Sequence, residues 1–287
     1  MDKKWLSKLP LPEITTITPI SGGDVNQAYH LTTSKQDYFL LVQAGQPASF
    51  YAGEVAGLKA FQQAEITAPH VIAHGQIYGD AYLILDYLPQ GSGSQADLGH
   101  LVAQLHQFKS PTGRFGFSQP YAGTSVSFAN AWSDSWTQSF VNQRLDVLDA
   151  SLLKKQLWAD NQRAQFLTAR EQIIESLSQH HSQPVLLHGD LWSGNYMFLQ
   201  DGRPALIDPA AWYGDREFDL GITTVFGGFT SDFYRGYASQ YPLDPGFEQR
   251  QHFYRLYYLM VHLDKFGVTY QRAVQVELNM ITQQSRA

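Results

Sequence analysis

Between residues 14 and 88 the apolar positions fall in short runs rich in β-branched and aromatic side chains: Ile14-Thr15-Thr16-Ile17, Ala28-Tyr29-His30-Leu31, Tyr38-Phe39-Leu40-Leu41-Val42, Val71-Ile72-Ala73 and Tyr82-Leu83-Ile84-Leu85. Polar or glycine-containing turns separate them, which predicts a small antiparallel sheet. One interval breaks the pattern: Val55, Leu58 and Phe61 recur at helical spacing, so a single helix is expected over about 50–64. Residues 90–95, Gln-Gly-Ser-Gly-Ser-Gln, read as the one low-complexity linker. Beyond it the period becomes helical. Leu98, Leu101, Val102, Leu105 and Phe108 recur at three and four behind a Ser94/Asp97 start that resembles a capping box. Trp132, Trp136, Phe140 and Val141 predict one face of a further helix, best explained as core packing. Phe166, Leu167, Ile173, Ile174 and Leu177 mark another, and two long helical patterns follow at about 247–266 and 270–284, with Gly267 as a C-cap between them. The chain therefore reads as α+β, with a sheet and one helix in an N-terminal lobe, 1–88, and a mostly helical C-terminal lobe, 89–287.

Composition removes alternatives more than it adds any. At 287 residues and 44% hydrophobic the chain can bury a full core. A net charge of −6 offers nothing to nucleic acid. The absence of cysteine excludes disulfides, thiolate metal sites and cysteine nucleophiles together. No apolar stretch reaches membrane-spanning length or follows the first charges as a signal peptide would, so a cytoplasmic protein without a membrane partner is expected. The histidines show no zinc pattern: His180 and His181 are adjacent, and His252 and His262 are ten apart.

The chemistry concentrates in residues 185–219. Val185-Leu186-Leu187 reads as a strand, His188 to Asn195 as a polar loop, and the two runs flanking the Asp201-Gly202 turn as a hairpin ending at Asp208. Asp190, Asn195 and Asp208 should then lie at loop ends on one side of a small sheet. Four residues separate Asp190 from Asn195, the spacing of a kinase catalytic loop, and Asp208 takes the place of the second, metal-binding aspartate. Phosphoryl transfer calls for these types: a carboxylate to orient and deprotonate the attacking hydroxyl, and hard oxygen ligands for Mg²⁺ on nucleotide phosphates. Each residue alone is equally a turn-capping polar; the coincidence of spacing, hairpin and second aspartate is the specific signal. His188 is expected to be a hydrogen-bonding brace. Ser21-Gly22-Gly23-Asp24 is either a plain hairpin turn or a loop whose N–H groups approach phosphate oxygens.

His188-Gly189-Asp190-Leu191-Trp192-Ser193-Gly194-Asn195, with Ile207-Asp208-Pro209-Ala210, Tyr213-Gly214-Asp215-Arg216-Glu217 and Phe226-Gly227-Gly228-Phe229, resembles the fructosamine kinase (ketosamine kinase) family over residues 22–267. The resemblance implies a bilobal protein-kinase-like fold of the aminoglycoside-phosphotransferase variety. It implies ATP and Mg²⁺ as cofactors and a small ketosamine, of fructosamine or ribulosamine type, as the acceptor phosphorylated on a sugar hydroxyl. Asp190 would be the base, Asn195 and Asp208 metal ligands, Gly22 and Gly23 the nucleotide cover, and Asp86, Tyr87 and Leu88 the hinge whose backbone meets adenine. Glu54 takes the place of the glutamate that pairs with the phosphate-holding lysine, Asp219 that of a carboxylate supporting the catalytic loop, and Trp192 is placed to stack on the sugar.

One departure stands out. Leu41 occupies the position where the family carries that lysine, and Lys35 and Lys59 are the nearest alternatives in sequence. Another cation, or Mg²⁺, would have to carry the phosphate charge; otherwise the rate has collapsed. The alternatives to a ketosamine kinase are therefore a kinase for another small alcohol or an aminoglycoside, and a pseudokinase.

Overall fold

The computed structural model describes residues 2–20, 27–121, 126–159 and 161–283, so the glycine loop with Gly22 and Gly23 lies outside the described residues. Strands β1 (Ile14–Ile20), β2 (Gln27–Thr33), β3 (Asp37–Gln43), β4 (Val71–Ile77) and β5 (Asp80–Asp86) form an antiparallel sheet in the order β1-β2-β3-β5-β4. Each outruns the apolar run that announced it. β4 continues past Ala73 through His74, Gly75 and Gln76 because it lies at the sheet edge, where backbone pairing with β5 holds the strand while alternate side chains face water.

Alternation along β3 sorts its side chains. Tyr38, Leu40 and Val42 join Leu31, Tyr82, Ile84 and Trp5, the last from α1 (Lys3–Leu6), in a small outer core. Phe39 and Leu41 take the opposite face and pack on the main core. Leu41 pairs across with Ala28 on β2 and Leu83 on β5, which fixes the face it occupies.

Helix α2 (Ala52–Gln63) buries Val55, Leu58 and Phe61, the stripe its spacing predicts. A Cβ on Gly57 would stand only 3.0 Å from Ala211 Cβ and from Pro209 Cγ, so the missing side chain lets α2 seat directly on the chain that follows Asp208.

The remaining helices are α3 (Gln95–Gln107), α4 (Asp146–Lys154), α5 (Gln162–Gln179), α6 (Glu217–Thr223), α7 (Ser231–Gln240), α8 (Phe247–Phe266) and α9 (Gln271–Gln283). Ser94 caps α3, its Oγ accepting from Ala96 N–H at 3.1 Å and Asp97 N–H at 3.4 Å. Four short strands carry the chemistry: β6 (Val185–Leu187) pairs with β9 (Trp212–Gly214), and β7 (Tyr196–Phe198) pairs with β8 (Pro204–Leu206) in the expected hairpin.

Two expectations are corrected. Residues 90–95 are not a free linker: Gly91 N–H donates to Phe198 O at 2.7 Å and Gln200 N–H to Pro89 O at 3.2 Å. The small residues there allow backbone to approach backbone, so the crossing is fastened to the hairpin, and a continuous core joins Phe61 and Leu83 to Leu98 and Leu101. Trp132 is not on the helix that Trp136 begins. Ser133 exchanges backbone hydrogen bonds with Phe115 at 2.8 and 2.9 Å, which holds this stretch extended, and Trp132 stacks on Tyr213 instead. A π-helical stretch, Gln138–Leu145, then leads into α4. Among the described residues no helix is long and apolar enough to cross a membrane.

Candidate active site

The loop between β6 and β7 is held from beneath. Asp219, fully buried on α6, accepts from His188 N–H at 2.7 Å through one carboxylate oxygen and from Gly189 N–H at 2.9 Å through the other. His106 on α3 stands 3.1 Å from the first oxygen and turns its other ring nitrogen to Tyr237 Oη at 2.9 Å. His188 itself pairs Nε2 with Ile207 O at 2.9 Å, while its Nδ1 lies 3.3 Å from Asp190 N–H. That pairing needs the proton on Nε2 and a lone pair on Nδ1, so the ring braces β8 against the loop.

Above this support, Asp190 is gripped at both oxygens. Tyr258 on α8 donates to Oδ1 at 2.8 Å, and the Asn195 amide donates to Oδ2 at 3.1 Å and to the Asp190 carbonyl at 2.8 Å. The Asn195 backbone oxygen accepts from Ile207 N–H at 3.0 Å, but spending the side-chain nitrogen this way leaves Asn195 Oδ1 without a hydrogen bond among the described residues. The Asp208 carboxylate, two residues after β8 in a left-handed conformation (φ 52°), also has none, and neither does that of Glu54 on α2. Water reaches Asp208, yet enough protein surrounds it that burial raises its carboxyl above the usual range. Burial also raises Asp190, with Asp208 adding to the effect and the Tyr258 and Asn195 hydrogen bonds opposing it. Glu54 is pushed well above the ordinary carboxylate range, first by burial and then by Asp208. Asn195 Oδ1 and the Asp208 carboxylate are uncommitted hard oxygens of the kind that a divalent cation takes.

No lysine, arginine or histidine among the described residues forms an ion pair with Glu54. Trp192 is 40% exposed and folds its indole back over Gly194, leaving the outer face of the ring open. At the crossing, the Asp86 carboxylate is taken by His70 Nδ1 at 2.9 Å, and the Tyr87 ring stacks on His30 with centroids 4.0 Å apart. Both side chains are therefore committed to the sheet, and Leu88 is half-buried beside them. The charges of the Tyr213 to Glu217 motif also serve as scaffold. Glu217 takes a two-pronged pair from Arg250 at 2.7 Å each, Asp215 pairs with His180 at 3.0 Å, and Arg216 pairs with Asp244 at 3.0 Å. His180, Glu217 and Asp244 approach one another as a metal site would, but the two arginines already neutralise the carboxylates.

Sequence reasoning missed Tyr258 and Arg144. Tyr258 sits at the border of the buried arc of α8, where periodicity distinguishes it from no other aromatic. Arg144 is buried behind Tyr121 and Tyr257 and stacked 4.1 Å over Trp212; burial lowers it to about 10. A lone arginine in a helical pattern carries no signal of burial.

A five-stranded sheet with one helix, joined to a helical bundle that presents an Asp-x-x-x-x-Asn loop and a second aspartate after a hairpin, defines a phosphotransferase of protein-kinase-like fold. The structure matches a thermostable mutant of an aminoglycoside phosphotransferase, solved as a ternary complex with AMP-PNP and hygromycin B, at a TM-score of 0.65 and 14% identity over 99% of this chain and 98% of that one, a likeness of fold. The chain belongs to the fructosamine kinase family, whose model matches residues 3–284. A probable ketoamine kinase of Staphylococcus aureus is 56% identical over 284 residues, covering 99% of each chain. A structure provisionally named a fructosamine-3-kinase of Haemophilus somnus 129PT superimposes at a TM-score of 0.83 with 25% identity, covering 94% of this chain and 92% of that one. The chain is accordingly a phosphotransferase of the ketosamine-phosphorylating family.

Proposed function

We propose that the chain transfers the γ-phosphoryl group of Mg²⁺-bound ATP to a sugar hydroxyl of a ketosamine of fructosamine or ribulosamine type. The observation that carries the reading is the division of labour at Asp190 and Asn195. The aspartate is fixed by two donors and keeps lone pairs for an incoming hydroxyl. The asparagine gives its nitrogen to that aspartate and keeps its oxygen, beside Asp208, for a cation. In this mechanism Asp190 orients the acceptor hydroxyl and takes its proton as the oxygen attacks. Asn195 and Asp208 hold Mg²⁺, which supplies positive charge against the phosphate oxygens when bound. Residues 1–88 carry the nucleotide, with Gly22 and Gly23 over the phosphates and the backbone at Asp86, Tyr87 and Leu88 along the adenine. Residues 89–287 carry the acceptor, with Trp192 against the sugar.

The test is ADP release by purified protein with Mg²⁺ over a panel of fructosamines, ribulosamines, choline, homoserine and an aminoglycoside. Turnover on a ketosamine that stops with EDTA and returns with Mg²⁺ is expected; turnover only on another acceptor, or on none, overturns the reading.

The missing lysine yields a separate expectation. Leu41→Lys places an ammonium on the inner face of β3 with Glu54 available as counter-charge, so ATP should bind about tenfold more tightly, the scale of one charge-assisted contact. Unchanged ATP affinity, measured by titration, would mean that Leu41 does not stand at the lysine's place or that another cation already serves the phosphates.

A further inference from the structure

The phosphoryl-transfer reading leaves unused a shelf of aromatic rings that begins at the base. Tyr258, bonded to Asp190, has its ring centroid 5.8 Å from Phe226 and 4.7 Å from His262. Phe226 and His262 are 4.8 Å apart, and Tyr270 closes the group 5.2 Å from His262. Phe226 is 46% exposed, although its loop is fastened to the catalytic loop. Gly228 sits so close to Ser193 that an added Cβ would come within 2.2 Å of the serine Cβ, and Tyr196 Oη donates to Gly228 O at 2.6 Å. A large ring kept in water on a pinned loop, continuous with the base, is the kind of exposed apolar surface that marks a binding site.

The charge around the shelf narrows what it can hold. Asp264 on α8, two residues from His262, is already paired with Lys155 at 2.7 Å, and Glu277 on α9 with Arg255 at 2.8 Å. Burial lowers His262, which keeps its ring uncharged near neutrality. At the outer end Lys265 lies over the Phe266 ring. Among the described residues the shelf is thus neutral and aromatic beside the base and cationic at its rim, a surface that offers a polycation nothing beyond Asp190.

We propose that Phe226, Tyr258, His262 and Tyr270 form the subsite for the acceptor's amine, binding a single protonated secondary ammonium and its first carbons through cation–π and apolar contact. The inference rests on the ketosamine reading and adds the part of the acceptor that is recognised. In a ketosamine the nitrogen lies only a few bonds from the sugar hydroxyls, so a hydroxyl at Asp190 leaves the ammonium over the adjoining rings. Aromatic faces attract such cations without the desolvation that a second carboxylate would impose.

The test compares binding of 1-butylamino-1-deoxyfructose with that of its neutral 1-O-butyl ether, measured by calorimetry on full-length protein with AMP-PNP and Mg²⁺. The amine should bind about three- to tenfold more tightly. Phe226→Leu, which keeps apolar volume but removes the ring, should bring the two ligands to near-equal affinity without changing AMP-PNP affinity, whereas Phe226→Trp should retain the preference. Tyr270→Leu is the second variant and decides if Phe226→Leu fails to fold. Equal affinity for amine and ether in the parent, or a preference that survives both leucine variants, overturns the proposal. Binding is read without turnover, so a failure to transfer phosphate would sink the kinase reading while leaving the amine preference standing, and transfer without the preference would do the reverse.

Discussion

Asp190→Asn is expected to lower kcat on a ketosamine by about 10²- to 10⁴-fold, the usual worth of a positioned general base, with little change in KM for ATP. The amide keeps the shape of the carboxylate and can still accept from Tyr258 through its oxygen, although its NH2 then faces the Asn195 amide nitrogen and that hydrogen bond is lost; what disappears is the atom that takes the proton. Stability should change little, because the lost hydrogen bond is offset by relief of a buried charge. Burial raises the Asp190 carboxyl above its ordinary value, so the folded state disfavours the charged form, and that penalty is present above the folded pKa and relieved as pH falls through it. A neutral amide avoids the penalty at every pH. The same shift places the acid limb of kcat/KM in the parent enzyme above the usual carboxylate range. Initial rates across pH, together with a melting curve of the variant, check both statements. A variant retaining more than about a tenth of the parent kcat would remove Asp190 from the role of base, since even the low end of the expected range is larger.

Asp219→Ala is expected to damage stability and rate together. The carboxylate satisfies two backbone N–H groups of the catalytic loop and lies against the His106 ring, all without water. Removing it strands those groups, at a cost of about 3–5 kcal/mol, the range for breaking a buried charged network. For a chain of 287 residues that corresponds to a fall in melting temperature of about 5–8 °C. Activity at a temperature where the variant remains folded should fall as well, because His188 and Gly189 set the position of Asp190. Asp219→Asn, which keeps one acceptor oxygen, should fall between the two. A melting temperature within about a degree of the parent would contradict the network as described.

The two tests separate a residue that performs chemistry from one that holds it, and the family resemblance alone makes that distinction poorly. His188, Asp215, Arg216, Glu217 and Asp219 all belong to the recognisable motifs. In the structure each is committed to a neighbour: His188 to Ile207, Asp215 to His180, Arg216 to Asp244, Glu217 to Arg250 and Asp219 to the loop backbone. Among the described residues, Asn195 Oδ1 and the carboxylates of Asp208 and Glu54 are left with uncommitted oxygens. A motif reports that a residue is required, whereas its partners report for what.

Much of the architecture was legible in order. The five β-rich runs, the interrupting helix, the Asp201-Gly202 hairpin and the two long terminal helices were announced by periods of two and of three to four, since burial on one face constrains residue type locally. The failures share a cause. Gly91 and Ser94 look like linker because small polar residues suit both free chain and tight backbone contact, and only the hairpin to which the crossing is fastened distinguishes them. Trp132 fits a helical stripe, but its neighbour Ser133 pairs with Phe115, a partner distant in sequence. Tyr258 and Arg144 gain their roles from elements more than forty residues away.

By itself, then, the sequence determined the α+β pattern, the loop that holds Asp190 and Asn195, and the second aspartate, while the loss of a lysine at Leu41 was visible only through the family resemblance. The first three are matters of spacing along the chain and of side-chain type, which local physics constrains. Tertiary structure decided that Leu41 faces the main core, that Glu54 stands near Asp208 with no cation beside it among the described residues, that Tyr258 grips the base, and that a ring of aromatics adjoins it. Each of these depends on which distant surfaces meet when apolar area is buried, and that choice is made by the packing of the whole chain.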